Sequence, residues 1–195
     1  MPQVIGLTGG IGSGKSVVGK MAEALGHTLY DSDSSAKRIM NDDPILRTAL
    51  IELLGKETYT TSGQLDRAYV AQRIFSEPAL RSKVNAVVHP AVFRDIDRAI
   101  AASAHPLFFI ESALLFESHL DHICHHTIAV CAPLELRIHR IIHRDHCTKR
   151  QAVARIEAQR DPDEIARLAS YRLTNDDSTP LVAQLSTIIH DILRQ

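Results

Sequence analysis

Thr8 to Val18 reads TGGIGSGKSVV. Gly9, Gly14, Lys15 and Ser16 fit the spacing Gly-x4-Gly-Lys-Ser, which marks a loop that cradles phosphates between a strand and a helix. Both flanks agree. QVIGLT (Gln3–Thr8) is a short apolar run rich in β-branched residues and reads as a buried strand. GKSVVGKMAEALG (Gly14–Gly26) reads as a helix closed by Gly26. HTLYDSD (His27–Asp33) is a second short strand, running into a helix near SSAKRIM (Ser34–Met40). Strand, glycine loop, helix and strand in this order open a parallel βαβ unit.

The loop's residue types follow from its task. Backbone N–H groups converge on phosphate oxygens only where bulky side chains are absent, hence Gly9, Gly10, Gly12 and Gly14. The helix N-terminus adds the positive end of its dipole. The expected ATP site is therefore Gly10, Ile11, Gly12, Ser13, Gly14, Lys15 and Ser16. Lys15 reaches the β- and γ-phosphates, and the Ser16 hydroxyl coordinates Mg²⁺, the expected cofactor. The competing reading, a glycine-rich turn with a chance Lys-Ser pair, does not account for the matched flanks. The motif names the donor and not the reaction. Of the classes that share it, GTPases carry an Asn-Lys-x-Asp loop and ABC-type ATPases a Ser-Gly-Gly signature, and neither is present.

Downstream, residues 42–103 hold helical patterns in PILRTALIELLG, DRAYVAQRIF and EPALRSKVNAVVHPAVFRDIDRAIAASA, with no convincing strand. PLFFIE (Pro106–Glu111) and HTIAVC (His126–Cys131) read as buried parallel strands. PLELRIHRIIHR (Pro133–Arg144) follows as a helix, with Pro133 suited to its first turn. Residues 145–163 are densely charged and suit a solvated helical lid. YRLTN (Tyr171–Asn175) is a candidate last strand and TPLVAQLSTIIHDILRQ (Thr179–Gln195) a terminal helix. The expectation is one α/β domain over residues 1–195, a parallel sheet flanked by helices. Its core covers about 1–40, 104–144 and 170–195, with a helical acceptor-binding insertion at about 41–103 and a lid at about 145–165.

Composition narrows the partners. The 195 residues are 45% hydrophobic and 23% charged, with a formal net charge of −1, so no global basic field advertises nucleic acid. Three cysteines (Cys124, Cys131, Cys147) make an odd number without metal spacing, which fits a reducing cytoplasm. No stretch reaches 18 apolar residues free of charge, so no membrane association is expected. HLDHICHH (His119–His126) and HRDHC (His143–Cys147) invite a metal reading, but their spacings reproduce no zinc pattern.

On a helix, Arg137, Arg140 and Arg144 fall within about 60° of one another, beside an apolar face of Leu134, Ile138, Ile141 and Ile142. Like charges on one stripe weaken a helix unless anions or carboxylates meet them. ATP phosphates are suitable anions for guanidinium forks, which makes Arg140 a candidate catalytic residue and Arg144 a nucleotide contact. Pairing with Glu135 or Asp145 is the other reading of the same stripe. Glu111 ends its strand where a P-loop protein keeps an acid for Mg²⁺. At the end of the second strand, in YDSD (Tyr30–Asp33), Asp31 and Asp33 lie where ligands gather in a doubly wound sheet. A kinase acting on an alcohol needs such a carboxylate to orient the hydroxyl and take its proton. Helix capping by Asp33 or Ser34 is the alternative.

Beyond the P-loop, an ordered series runs along the chain: YDSD, GQLDR (Gly63–Arg67), IFSEP (Ile74–Pro78), VNAVVHP (Val84–Pro90), ALLFE (Ala113–Glu117), RIIHRD (Arg140–Asp145), then Gln159 and Asn175. In this series the chain resembles the dephospho-CoA kinase family. Its departures are Val17 where Thr is usual, Glu111 and Ala113 where Asp and Pro are commoner, Ser170 in place of an Asp, and no Gly after Asn175. The resemblance implies a P-loop kinase that phosphorylates the ribose 3′-hydroxyl of dephospho-CoA with ATP and Mg²⁺. It implies Asp33 as base, and Lys15 and Arg140 on the transferring phosphate. It places Asp31, Arg67, His89 and Leu115 on the acceptor side and Asn175 on the nucleotide side. ATP and dephospho-CoA are then the partners of a cytoplasmic monomer or small homo-oligomer. A kinase of another small alcohol and a non-catalytic nucleotide switch stay open on the residues themselves.

Overall fold

Five strands form one parallel sheet: β1 (Gln3–Thr8), β2 (Thr28–Asp31), β3 (Leu107–Glu111), β4 (His126–Cys131) and β5 (Tyr171–Thr174). Their order across the sheet is β2-β3-β1-β4-β5. Near-continuous apolar runs predict strands covered on both faces, and β3 is buried at every position. The computed structural model describes residues 1–195, with every side chain included except those of Phe75, Ser76 and Pro78. Three side chains of the IFSEP stretch therefore lie outside the described residues.

The chain forms two compact units, Met1–Asp31 with Ser103–Gln195, and Ser32–Ala102. In the first, α1 (Lys15–Ala24) packs against α9 (Leu181–Ile192) and the sheet. Val18 and Ala22 of α1 and Leu185, Ile188, Ile189 and Ile192 of α9 meet Ile5, Leu7, Phe109 and Leu173 of the strands. The same unit holds α6 (Leu134–Asp145), α7 (Lys149–Glu157) and α8 (Pro162–Leu168). Thr148 and Gln151 form a reciprocal capping box that starts α7. Pro133 sits at the N-cap of α6, one position ahead of the first turn expected for it.

The second unit is helical: α2 (Ser32–Asp42), α3 (Pro44–Leu54), α4 (Arg67–Ser76) and α5 (Pro78–Ala102). Asp43 caps α3 by accepting from the N–H groups of Ile45 and Leu46, with Pro44 in the first turn. Asp66 caps α4 through the Tyr69 N–H at 2.9 Å. Buried Leu46, Leu50 and Leu54 give α3 its apolar face, and α2, α3 and α4 each pack against α5. The α2 helix belongs to this unit and starts at Ser32, earlier than the SSAKRIM pattern suggests. Asp33 therefore lies inside its first turn, and neither Asp33 nor Ser34 is its cap. Among the described residues, no helix is long and apolar enough to cross a membrane.

Candidate active site

The glycine loop leaves the carboxyl end of β1, where β3 flanks on one side and β4 on the other. The Ser13 N–H turns back to the Gly10 carbonyl at 3.0 Å, and the Val17 and Val18 N–H groups close onto Gly14. Gly14 caps α1 in the left-handed region, at φ 96°. A Cβ there would stand 2.1 Å from Nδ2 of Asn175, so the position requires glycine on two counts. The Lys15 ammonium donates to the Gly9 carbonyl at 2.8 Å, which holds its charge over the loop. The first N–H groups of α1 have no acceptor within the helix, so the loop ends in an anion-binding helix N-terminus.

The Ser16 hydroxyl donates to Oε1 of Glu111 at 2.6 Å. Glu111 closes β3, and its register partner on β2 is Asp31. Asp31 and Glu111 end adjoining strands and Ser16 lies in the first turn of α1, with the Glu111 side chain buried and Asp31 and Ser16 exposed. A hydroxyl and carboxylate in contact form a hard-oxygen donor set that fits Mg²⁺, which keeps most of its water and takes few protein ligands.

The arginine stripe of α6 divides three ways. Arg140 lies against the loop: Nη1 reaches the carbonyls of Gly12 and Ser13 at 3.2 and 3.4 Å. Its Nη2 donates to Asn175 Oδ1 at 3.0 Å and Asp177 Oδ1 at 2.5 Å. Asn175 in turn donates from Nδ2 to the Ser13 carbonyl at 2.7 Å. Arg144 instead forks onto its neighbour Asp145 at 2.7 and 3.0 Å, and Arg155 meets the same carboxylate. These guanidinium groups, Arg144 first, hold the Asp145 carboxyl below the usual carboxylate range. Arg137 is buried, 3% exposed, and donates from Nε to the Ile11 carbonyl at 2.9 Å. Its guanidinium lies on the backbone of Gly10, where a Cβ would come within 2.4 Å of Nη2.

Leu115 is fully buried, and its side chain occupies the space beside Gly6 in the core. Its neighbour Leu114 is 53% exposed and carries the apolar surface of that segment. Leu134 likewise leaves the expected apolar face of α6, being 54% exposed, while Ile138, Ile141 and Ile142 pack with Ala152 of α7. In the second unit, Asp33 is exposed in the first turn of α2, Arg67 opens α4, and His89 is half-buried on α5 before Pro90.

Sequence reasoning named Arg137 and Gln159 without placing them on the loop, where Gln159 Oε1 accepts the Ile11 N–H at 2.7 Å, and it did not name Asp177, which holds Arg140. The signal for Arg137 was its place on the stripe. The other two pair across 148 and 37 positions of chain, which no local pattern reports. Within HLDHICHH, His119, Asp121 and His122 bring one donor atom each within 4.8 Å of one another on a surface turn.

The family model described as dephospho-CoA kinase matches residues 3–180. A dephospho-CoA kinase of Bacteroides fragilis is 36% identical over 187 residues, covering 95% of this chain and 90% of the relative. A crystal structure of a Thermus thermophilus protein is similar at TM-score 0.84 and 33% identity, over 99% of this chain and 97% of that one. The structure of a dephospho-CoA kinase from Campylobacter jejuni matches in fold at TM-score 0.71 and 24% identity, over 98% of each chain.

Proposed function

The chain belongs to the dephospho-CoA kinase family, kinases that phosphorylate dephospho-CoA with ATP, and from that premise we propose how its own residues carry the transfer. The acceptor is the ribose 3′-hydroxyl of dephospho-CoA. The acceptor follows from the family, and the observation that carries phosphoryl transfer is the joined loop and strand end, with Ser16 bonded to Glu111 at 2.6 Å beneath a complete P-loop.

Backbone amides of the loop and the Lys15 ammonium neutralise the β- and γ-phosphates. Mg²⁺, when bound with ATP, supplies further charge neutralisation on the phosphates; Ser16 would hold it and Glu111 would orient its water. Arg140, kept beside the loop by Asn175 and Asp177, adds positive charge on the transferring phosphoryl. Asp33 orients the acceptor hydroxyl and takes its proton as the oxygen bonds to the γ-phosphorus. The bridging bond to the β-phosphate breaks in the same displacement and its electrons leave on ADP. Arg67 and His89 of the helical unit are the proposed acceptor contacts. Arg144 joins the nucleotide site by leaving Asp145. The domain assignment follows: a P-loop core, a helical acceptor unit and a lid at about 145–165.

The test is ADP release from the purified chain, with and without dephospho-CoA. Turnover is expected to depend on dephospho-CoA over a panel of nucleosides and other small alcohols, and to fall at least 100-fold in Asp33→Asn while ATP binding persists. Full turnover by that variant removes Asp33 from the role, and ATP binding without transfer to any alcohol removes the kinase reading for this chain.

A further inference from the structure

A cavity of about 530 Å³ opens on the flank of the glycine loop, within the first unit. Gly10 and Ser13 form its loop wall, and the chain leaving β4, from Cys131 to Leu134, forms its floor. Ile156 and Pro162 close it from the helical hairpin side. Its walls share Gly10 and Ser13 with the expected ATP site but include none of Gly12, Lys15, Ser16, Glu111 and Arg140. Its size is that of a small-molecule site.

Two polar side chains in its wall are almost completely buried and under-satisfied. The Ser13 side-chain oxygen, in a residue 1% exposed, has no hydrogen-bond partner among the described residues. Arg137, 3% exposed, makes one hydrogen bond among the described residues, from Nε to Ile11, which leaves the two terminal nitrogens of its fork without an acceptor. Burial draws its pKa down, and no carboxylate offsets that burial. A guanidinium without a counter-charge is disfavoured in an ordinary interior. Such a group persists where something else meets it.

The remaining polar lining sets the sign. Arg172 adds a second cation, hydrogen-bonded to the Cys131 thiol, which burial keeps protonated and neutral. Asp176 faces the cavity as well, but its carboxylate already accepts from the Ser178 and Thr179 N–H groups at 3.0 and 2.8 Å and from the Thr179 hydroxyl. Asp163 stands exposed in the first turn of α8. The buried groups left unmet are the Arg137 fork and the Ser13 hydroxyl, while the Asp163 carboxylate is exposed to water, and the surrounding wall of Val130, Ala132, Pro133, Leu134 and Ile156 is apolar.

We infer that this cavity is a second ligand site, which takes a small oxyanion (a carboxylate or a phosphate) on the Arg137 fork and the Ser13 hydroxyl, with a compact apolar body against the β4–α6 wall. The ligand binds beside a filled P-loop, not in it. Because Arg137 also holds the Ile11 carbonyl, occupancy is felt at the loop.

The test uses the full chain with its P-loop saturated by Mg²⁺ and a non-hydrolysable ATP analogue, so that the loop itself cannot take the probe. Butyrate and inorganic phosphate are titrated separately, by calorimetry and by the Nε–Hε resonance of Arg137 in labelled protein. Saturable binding of one equivalent of either probe, with that resonance shifting along the same isotherm, is expected. The preferred probe identifies the head group. Leu134→Glu, which sets a carboxylate at the exposed mouth, is expected to weaken binding at least fivefold, and Arg137→Gln to abolish it. Should Arg137→Gln not fold, Ala132→Phe, which fills the cavity from the floor, replaces it with the same expected loss. The inference is overturned if neither probe saturates beside the ATP analogue, or if binding is the same in Leu134→Glu and in the Arg137 or Ala132 variant.

Discussion

Gly14 and Glu111 bear different loads at the same loop, and substitutions separate them. Gly14→Ala forces a left-handed backbone on an L-residue, worth about 1–2 kcal/mol by itself. It also drives a methyl into the Asn175 amide, which holds the Ser13 carbonyl. Loss of ATP binding by more than tenfold in a fluorescent-nucleotide titration is the expected result, and wild-type affinity would contradict the packing. Glu111→Gln keeps the shape and an acceptor for the Ser16 hydroxyl but removes the charge. The Mg²⁺ concentration for half-maximal turnover is expected to rise about tenfold, equivalent to about 1.4 kcal/mol, with little change in ATP binding without the metal. An unchanged Mg²⁺ midpoint would separate Glu111 from the metal. Arg144 shows why residue type alone does not settle a role. Its spacing with Arg140 put both beside phosphates, yet its nearest acid is the next residue in the chain, and its guanidinium forks onto that carboxylate.

At the level of elements, the α6–α7 hairpin grips one residue of the loop at three points. Ile11 gives its N–H to Gln159, its carbonyl to Arg137, and its side chain to the apolar cluster of Ile138, Ile141 and Ala152. The loop tip is thus set by elements that follow it by more than 120 positions. Gln159→Ala leaves the Ile11 N–H without its acceptor, at about 1–3 kcal/mol for a buried donor. The expected kinetic result is a KM for ATP raised about fivefold to tenfold, with the KM for the acceptor unchanged, and recovery in Gln159→Glu, which retains an acceptor oxygen. Equal loss in both variants would mean that packing and not the hydrogen bond sets the loop. The strands, the loop and the helical character of residues 42–103 were legible because each depends on local pattern: apolar runs, glycine spacing, and caps such as Asp43 and Asp66. The start of α2 at Ser32 was not, since YDSDSS reads equally as strand end or helix start. Leu114 and Leu115 are identical in type, so only the fold decides which of them is buried.

Across the whole chain the sheet core is apolar and nearly free of ionisable groups, which concentrates pH sensitivity at its margin. His27 follows α1 and leads into β2, with its ring 5.9 Å from that of Phe109. Its Nδ1 is buried and has no partner among the described residues. Burial, and then the neighbouring His105, lower its pKa from the ordinary value. A histidine whose folded pKa is lowered binds its proton more readily when unfolded. Its neutral form therefore supports the fold fully above about pH 6.5, the unperturbed value. That support is lost progressively as the pH falls below it. Thermal melts between pH 8 and pH 5 are expected to show the melting temperature falling through this window. His27→Phe keeps an aromatic ring beside Phe109 and removes the titration, so its curve should be flatter over the same range. The site offers a sharper check than stability alone, because α1 carries Lys15 and Ser16 at its other end. ATP protection against melting should weaken on acidification more slowly in His27→Phe than in the natural chain. Parallel curves for the two proteins would assign the acid sensitivity to other histidines and clear His27 of the role.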